Sequence, residues 1–236
     1  MDRLDKILAA TGRWSRREVK DLIRQGRVTV DDRLAAAPEE KADPAASRIC
    51  VDGEPVSWEK YVYIMLHKPA GLLSATEDSR QKTVLDLLPA ELRKRGLAPV
   101  GRLDKDTEGL LLLTDDGDLT HRLLSPKYHV DKVYFARVDG ELTAADTAAF
   151  AAGLTLGDGL VCRPAGLEIL TGNTCLVTLQ EGKFHQVKRM LASRGKPVVY
   201  LKRLSMGSLQ LDENLEKGQY RRLTEEELRA LRNRTA

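Results

Sequence analysis

Residues 101–114, Gly-Arg-Leu-Asp-Lys-Asp-Thr-Glu-Gly-Leu-Leu-Leu-Leu-Thr, constrain this chain more than any other stretch. The leucines Leu110 to Leu113 read as a buried strand, and the charged, glycine-bearing half pressed against them has to turn at the rim of a core. A carboxylate placed there can be tuned by desolvation and by a neighbouring cation. A polar loop closed by an ion pair leaves the same signature, so the stretch alone keeps both readings open.

Strands and helices alternate around it. Residues 61–66 form a β-prone run that ends in the turn His67-Lys68-Pro69-Ala70-Gly71. Helices are expected over 83–88, 119–124, 143–152 and 185–194, and extended segments over 110–114, 133–138, 167–170, 175–179 and 198–201. Few regular crossovers separate them, which predicts an α+β fold with a mixed, mainly antiparallel sheet flanked by helices. Upstream, Leu4, Ile7 and Leu8 lie at helical spacing, and Ser15 with Glu18 makes a capping box for a second helix whose stripe is Val19, Leu22 and Ile23. Gly26 stops that helix and residues 27–30 alternate as a strand into Asp31-Asp32. The Ala/Pro-rich residues 35–46 read as a segment on which this first module could swing. A boundary near Ser57 to Lys60 divides the chain into residues 1–58 and 59–236.

Several classes drop out. Apolar runs are far too short for the roughly 20 residues that span a bilayer, and the first six residues alternate charge with apolar side chains, unlike a secretion signal. Three cysteines without a C-x-x-C pair suggest a reducing, cytoplasmic setting. The four histidines show no zinc-ligand spacing, and no phosphate-cradling glycine motif is present, so neither metal nor cofactor is expected. Asp115-Asp116-Gly117-Asp118 mimics a calcium loop but fits a turn with Asp118 capping the next helix better.

The formal charge is only +3, yet it is unevenly spread. Residues 1–33 hold nine basic and six acidic side chains. Arg17, Lys20 and Arg24 fall within about 60° of one another on the side away from the apolar stripe. With Arg3, Arg13 and Arg16 they are candidates for a phosphate backbone, although a solvated helix face looks the same. From Gly182 to Arg203 there are seven Lys or Arg and no Asp or Glu, a block that would repel itself without a polyanionic partner. Lys68, Lys183, His185, Gln186 and Arg189 are further candidates there and at the first turn. In residues 131–138, alternation places Lys132, Tyr134 and Ala136 on one face; an aromatic beside cations suits stacking on a nucleobase, and equally a core tyrosine.

The Gly-Arg-Leu-Asp-x-Asp-Thr-x-Gly stretch, the His-Lys-Pro-x-Gly turn at 67–71 and Gly-Lys-Phe-His-Gln-Val-Lys-Arg-Met at 182–190 together resemble the pseudouridine synthases of the RsuA/RluB type. Residues 1–50 resemble the S4-like RNA-binding module that precedes the catalytic domain in that family. The resemblance implies that Asp104 attacks a target uridine at C6 or C1′ and that the base detaches, rotates and rejoins through C5, with no cofactor or metal. It implies that Tyr134 stacks under the uracil, that Lys188 pairs with Asp104 where many relatives carry Arg, that Arg102 fills the gap left by the extracted base, and that Leu201 lids the pocket. Thr114 to Gly117, His121-Arg122 and Ser125-Pro126 look more like the small-subunit enzyme. Expected, then, is a cytoplasmic monomer acting on one uridine of 16S ribosomal RNA in an assembly intermediate, with a large-subunit uridine as the alternative target. Two rivals are an inert S4-bearing, ribosome-associated binding protein and a hydrolase using Asp104 with Asp106 as an acid–base pair, since two positions apart on an extended segment they share a side.

Overall fold

In the computed structural model, which describes residues 1–233, Ser15 opens its helix as the sequence requires. Its hydroxyl accepts from the Glu18 N–H at 3.2 Å while the Glu18 carboxylate accepts from the Ser15 N–H at 2.6 Å. Two donors that the first turn would otherwise leave unpaired are thereby satisfied. The helix, α2 (Arg16–Arg24), packs Val19, Leu22 and Ile23 onto Leu4, Ile7 and Leu8 of α1 (Leu4–Ala10). Antiparallel strands β1 (Val28–Val30) and β2 (Ile49–Val51) complete the core, and Asp31 and Asp32 take the left-handed backbone of the turn after β1.

The Ala/Pro-rich segment is no hinge. Glu40 and Pro38 accept backbone hydrogen bonds from Leu4 and Asp5 at 2.8 and 3.0 Å, and Ala42 is buried in the same core. A further short helix, α3 (Ala90–Lys94), also belongs here: the first compact unit comprises Met1–Val62 together with Leu88–Leu97. Gly12 shows how close that second segment comes, since a Cβ on it would lie 2.1 Å from the Glu91 carbonyl oxygen. Arg95 ties the segment further, donating to the Ala10 carbonyl at 2.9 Å.

The second unit, Tyr63–Leu87 with Ala98–Ala236, is built on a nine-stranded sheet. Its principal elements are β3 (Tyr63–Lys68), β4 (Glu108–Thr114), α4 (Gly117–Leu124), β5 (Lys132–Val138), α5 (Ala144–Ala152), β6 (Gly166–Thr171), β7 (Thr174–Leu179), α6 (Gln186–Ser193), β8 (Val198–Met206), β9 (Tyr220–Arg222) and α7 (Glu225–Asn233). The main path runs β6-β7-β5-β8-β4-β3-β9, antiparallel at every step except β8–β4, which is parallel. This is the mixed, mainly antiparallel α+β arrangement that the sequence predicts. Every residue of β3 and β4 is buried, as a leucine run in a central strand must be. Gly109 is obligatory in β4: with φ +105°, a Cβ would sit 2.2 Å from the Arg203 carbonyl oxygen of β8.

Three local expectations need correction. Residues 83–88 make only a 3₁₀ turn, Val84–Leu87. The cap of α4 is Asp116, not Asp118: its carboxylate accepts from the Leu119 N–H at 3.0 Å and from the Tyr63 hydroxyl at 2.6 Å. Strand β9 and helix α7 are absent from the sequence reading.

Candidate active site

The turn that carries Asp104 is held from below. Lys68 ends β3 with its side chain fully buried, and its ammonium donates to four backbone carbonyls: Pro69 at 3.1 Å, Asp104 at 3.1 Å, Lys105 at 3.2 Å and Thr107 at 2.9 Å. Burial pushes this ammonium down to about 8, with the nearby acids Asp106, Asp104 and Glu108 opposing the shift. Ser74, also buried, both accepts from the Leu103 N–H at 3.1 Å and donates to the Leu103 carbonyl at 2.9 Å. Gly71 donates to the Lys105 carbonyl at 2.7 Å and Thr107 to that of Asp104 at 3.1 Å. Lys68 is thus no RNA contact, contrary to expectation. It organises the loop's backbone instead.

Above this floor the Asp104 carboxylate is about one-quarter exposed in a cleft of roughly 410 Å³. Lys188 of α6 lies 3.2 Å from one of its oxygens and His185 Nε2 lies 3.5 Å from the other. Tyr134 of β5 and Leu201 of β8, both buried, line the same cleft, as does the exposed Arg102. The guanidinium of Arg102 has no side-chain partner among the described residues. The structure therefore brings together Arg102, Asp104, Tyr134, Lys188 and Leu201 from four separated places in the chain.

Lys188 does not serve Asp104 alone. Its ammonium also lies 2.5 Å from Asp106, which is largely exposed, and that hydrogen bond holds the Asp106 carboxyl below its ordinary range. Asp104 and Asp106 converge through a turn rather than by strand alternation, and they share one cation. Behind them Glu108, buried at the start of β4, accepts from the Tyr200 hydroxyl at 2.7 Å and meets Lys217 at 2.8 Å. Burial opposes its charge, but these two donors hold its carboxyl below the usual range.

Other candidates divide. Gln186 is buried: its amide oxygen accepts from the Lys183 N–H and its nitrogen donates to Glu181, so it shapes the loop rather than meeting RNA. Lys183 is drawn toward the Val161 carbonyl and Glu181, and Arg189 toward Asp158. In the first unit, Arg3 grips Asp5 through two hydrogen bonds and also meets Glu39, which neutralises it locally. Arg24 pairs with Asp21 at 3.3 Å, while Arg13 lies over the Trp14 ring. Arg16 and Arg17 are exposed and Lys20 half-buried, and none of them makes a side-chain hydrogen bond or close ion pair among the described residues, although Arg16 is near enough to Asp5 to favour its charge. Sequence reasoning missed three neighbours of the site: Ser74, the second carboxylate's hold on Lys188, and Phe184, whose exposed ring stacks on His185. A lone serine carries no sequence signal, whereas Phe184 sits inside a stretch already singled out. No group of His, Cys, Asp and Glu among the described residues is arranged to hold a metal ion, and no helix among them is long and apolar enough to cross a membrane.

A mixed sheet that holds a partly exposed carboxylate between a lysine and a histidine in a cleft is the framework of an enzyme site, and comparison with known proteins gives the family. Residues 62–193 match the RNA pseudouridylate synthase family and residues 2–47 match the S4 domain. An RNA pseudouridine synthase of Bacillus subtilis, itself uncharacterised, is 50% identical over 97% of this chain and 98% of its own length. The ribosomal small subunit pseudouridine synthase A of Vibrio cholerae is 40% identical over 97% and 99%, and that of Escherichia coli 39% identical over 96% and 98%. A crystal structure of a pseudouridylate synthase, 37% identical, superposes with a TM-score of 0.69 over 98% of this chain and 100% of the other. The chain belongs to the RNA pseudouridine synthases, which are isomerases, and carries an S4 RNA-binding domain at its N-terminus.

Proposed function

We propose that this protein converts one uridine of small-subunit ribosomal RNA to pseudouridine, with Asp104 as the nucleophile. The observation that carries the reading is the Asp104 carboxylate itself, accessible at the bottom of a cleft and clamped between Lys188 and His185. A cation beside a carboxylate both favours its charged form and aims it. The carboxylate adds to C6 of the uracil or to C1′ of the ribose, and the N1–C1′ bond breaks. The base turns so that C5 faces C1′, the C5–C1′ bond forms, the bond from Asp104 to C1′ or C6 breaks to return the free carboxylate, and the C5 proton leaves as N1 gains one. Atoms balance within the site. Tyr134 stacks against the base and assists removal of the C5 proton, Leu201 closes the apolar wall, and Arg102 occupies the space the base vacates in the RNA, offsetting part of the few kcal/mol of unstacking.

The small-subunit target rests on the names of the Vibrio and Escherichia relatives, each matched along nearly its full length. Arg16, Arg17 and Lys20 supply a second grip on the same RNA, and linking two grips raises the effective concentration of the target at the cleft. Pseudouridine mapping of ribosomal RNA from cells with and without the gene tests the assignment. One small-subunit position should disappear and Asp104→Asn should fail to restore it while still binding RNA. A missing large-subunit position would transfer the target. Conversion by Asp104→Asn at the normal rate would remove the nucleophile. Cleaved strands or free uracil in place of an unchanged RNA mass would restore the hydrolase reading.

A further inference from the structure

The loop from Glu181 to His185 ends in a feature that folding does not require. Phe184 is 75% exposed, the only aromatic among the large apolar side chains left open in the described residues. Single exposed apolar residues are ordinary and mean nothing by themselves. This ring is not isolated. It stacks on the His185 imidazole with centroids 3.8 Å apart and planes 20° from parallel, and that imidazole stands 3.5 Å from the Asp104 carboxylate. His185 adopts φ +51°, a left-handed backbone that is uncommon among non-glycine residues.

The surrounding loop holds it there. Gln186 clamps the loop between the Lys183 N–H at 2.9 Å and Glu181 at 2.5 Å, the Gln186 N–H returns to the Lys183 carbonyl at 3.1 Å, and the Arg189 N–H holds the His185 carbonyl at 2.9 Å. The backbone on either side of the pair is thus tied down, the inner ring faces the Asp104 carboxylate at 3.5 Å, and the outer face of Phe184 is open. Lys183, Lys188 and Arg189 belong to the same acid-free stretch, and each meets a carboxylate from outside it: Glu181, Asp104 with Asp106, and Asp158. An open aromatic face accepts a nucleobase with little selectivity, because every base presents a π-face.

We propose that Phe184, backed by His185, is a stacking platform for the nucleobase adjacent to the target uridine. The extracted uridine leaves its neighbour without a stacking partner, and the outer face of Phe184 supplies one. The platform is a positioning device for the substrate. This inference rests on the reading of Asp104 as the centre of isomerisation, and it can fail while that reading stands.

The test uses the full-length protein and a small-subunit rRNA fragment containing the uridine found by mapping. Phe184→Ala should raise KM roughly 5- to 150-fold, the range of one lost base–aromatic stack, with kcat little changed, and Phe184→Tyr should restore KM. Replacing the nucleotide on one side of the target by an abasic residue should weaken the normal enzyme by the same factor and leave Phe184→Ala no worse, so that the two changes are not additive. As a readout independent of turnover, Phe184→Trp should be quenched by single-stranded oligoadenylate, beyond any change from Trp14 and Trp58 in the unmodified chain. Unchanged KM in Phe184→Ala, or additive effects with abasic residues on both sides, overturns the platform. A kcat loss that Phe184→Tyr does not rescue makes the ring a support for His185 instead. A defect seen on ribonucleoprotein but not on naked RNA would assign the ring to a protein partner and likewise overturn the proposal. In each of these cases an inactive Asp104→Asn leaves the isomerase reading intact.

Discussion

Replacing Lys68 by Met keeps the volume of a buried side chain and removes the charge that gathers the backbone around Asp104. An ammonium has three protons, so three of its four carbonyl contacts are made in full at any moment. At roughly 1.5–3 kcal/mol for each hydrogen bond to a charged group, the gross contribution is about 5–9 kcal/mol. Burying the ammonium takes back several kcal/mol. The net loss in Lys68→Met should be about 2–4 kcal/mol, visible as a lower urea midpoint. The effect on chemistry should be larger, because three of the four released carbonyls belong to residues 104, 105 and 107, and a shift of about 1 Å in a reacting group can lower the rate roughly 100-fold. The pH dependence separates the two effects. Lys68 falls from an ordinary 10.5 to about 8 in the folded chain, so between those values the unfolded chain binds the proton and the folded chain does not. This group therefore makes stability rise with pH across that window. Catalysis moves the other way, since a neutral amine keeps only two donors and turns a lone pair toward carbonyl oxygens. Single-turnover isomerisation should decline above pH about 8 in the normal enzyme without a matching fall in urea midpoint, and the decline should be missing in Lys68→Met. A Lys68→Met enzyme within about threefold of the normal rate would refute the reasoning, as would a decline that only tracks unfolding.

Asp106→Asn should leave isomerisation within about fivefold of normal while a double mutant with Asp104→Asn is no worse than Asp104→Asn alone, because Asp106 only shares Lys188; a loss equal to that of Asp104→Asn in single-turnover assays would make Asp106 a participant in the chemistry. Changing Arg16, Arg17 and Lys20 to Gln should weaken RNA binding and make the plot of log affinity against log salt shallower by about two to three, at about 0.7–0.9 per lost phosphate contact. An unchanged slope in filter-binding titrations would mean that these cations touch no phosphate.

What could be read in the sequence is what short-range chemistry decides. The Ser15–Glu18 box depends on residues three apart, and the alternation along β5 depends only on strand geometry, so both are legible. The leucine run of β4 likewise announces its own burial. What stayed hidden depends on distant partners. Lys68 and Gln186 look like surface cation and surface amide, yet three of the acceptors around Lys68, at Asp104, Lys105 and Thr107, lie 36, 37 and 39 residues along the chain. Arg3 looks free until Glu39 folds back beside Asp5. Lys188 is recognisable as a cation near Asp104, but its division between two carboxylates arises from a turn whose course the spacing of 104 and 106 does not reveal. The expected division at residue 58 likewise missed Leu88–Leu97, a segment too short and too polar at α3 to declare where it packs.

That last segment bears on how the protein is made. The unit that carries Arg16, Arg17 and Lys20 is assembled from two stretches of chain separated by the first strand of the other unit. During synthesis its N-terminal helices emerge early, but the Arg95 contact to Ala10 and the close approach of Glu91 to Gly12 can form only after residue 95 has left the ribosome. At about 5–20 residues per second, the early portion waits several seconds for its last piece. For the same reason, a cut placed at residue 58 would yield a fragment without its closing segment, and a remainder carrying that segment with nothing to fold against.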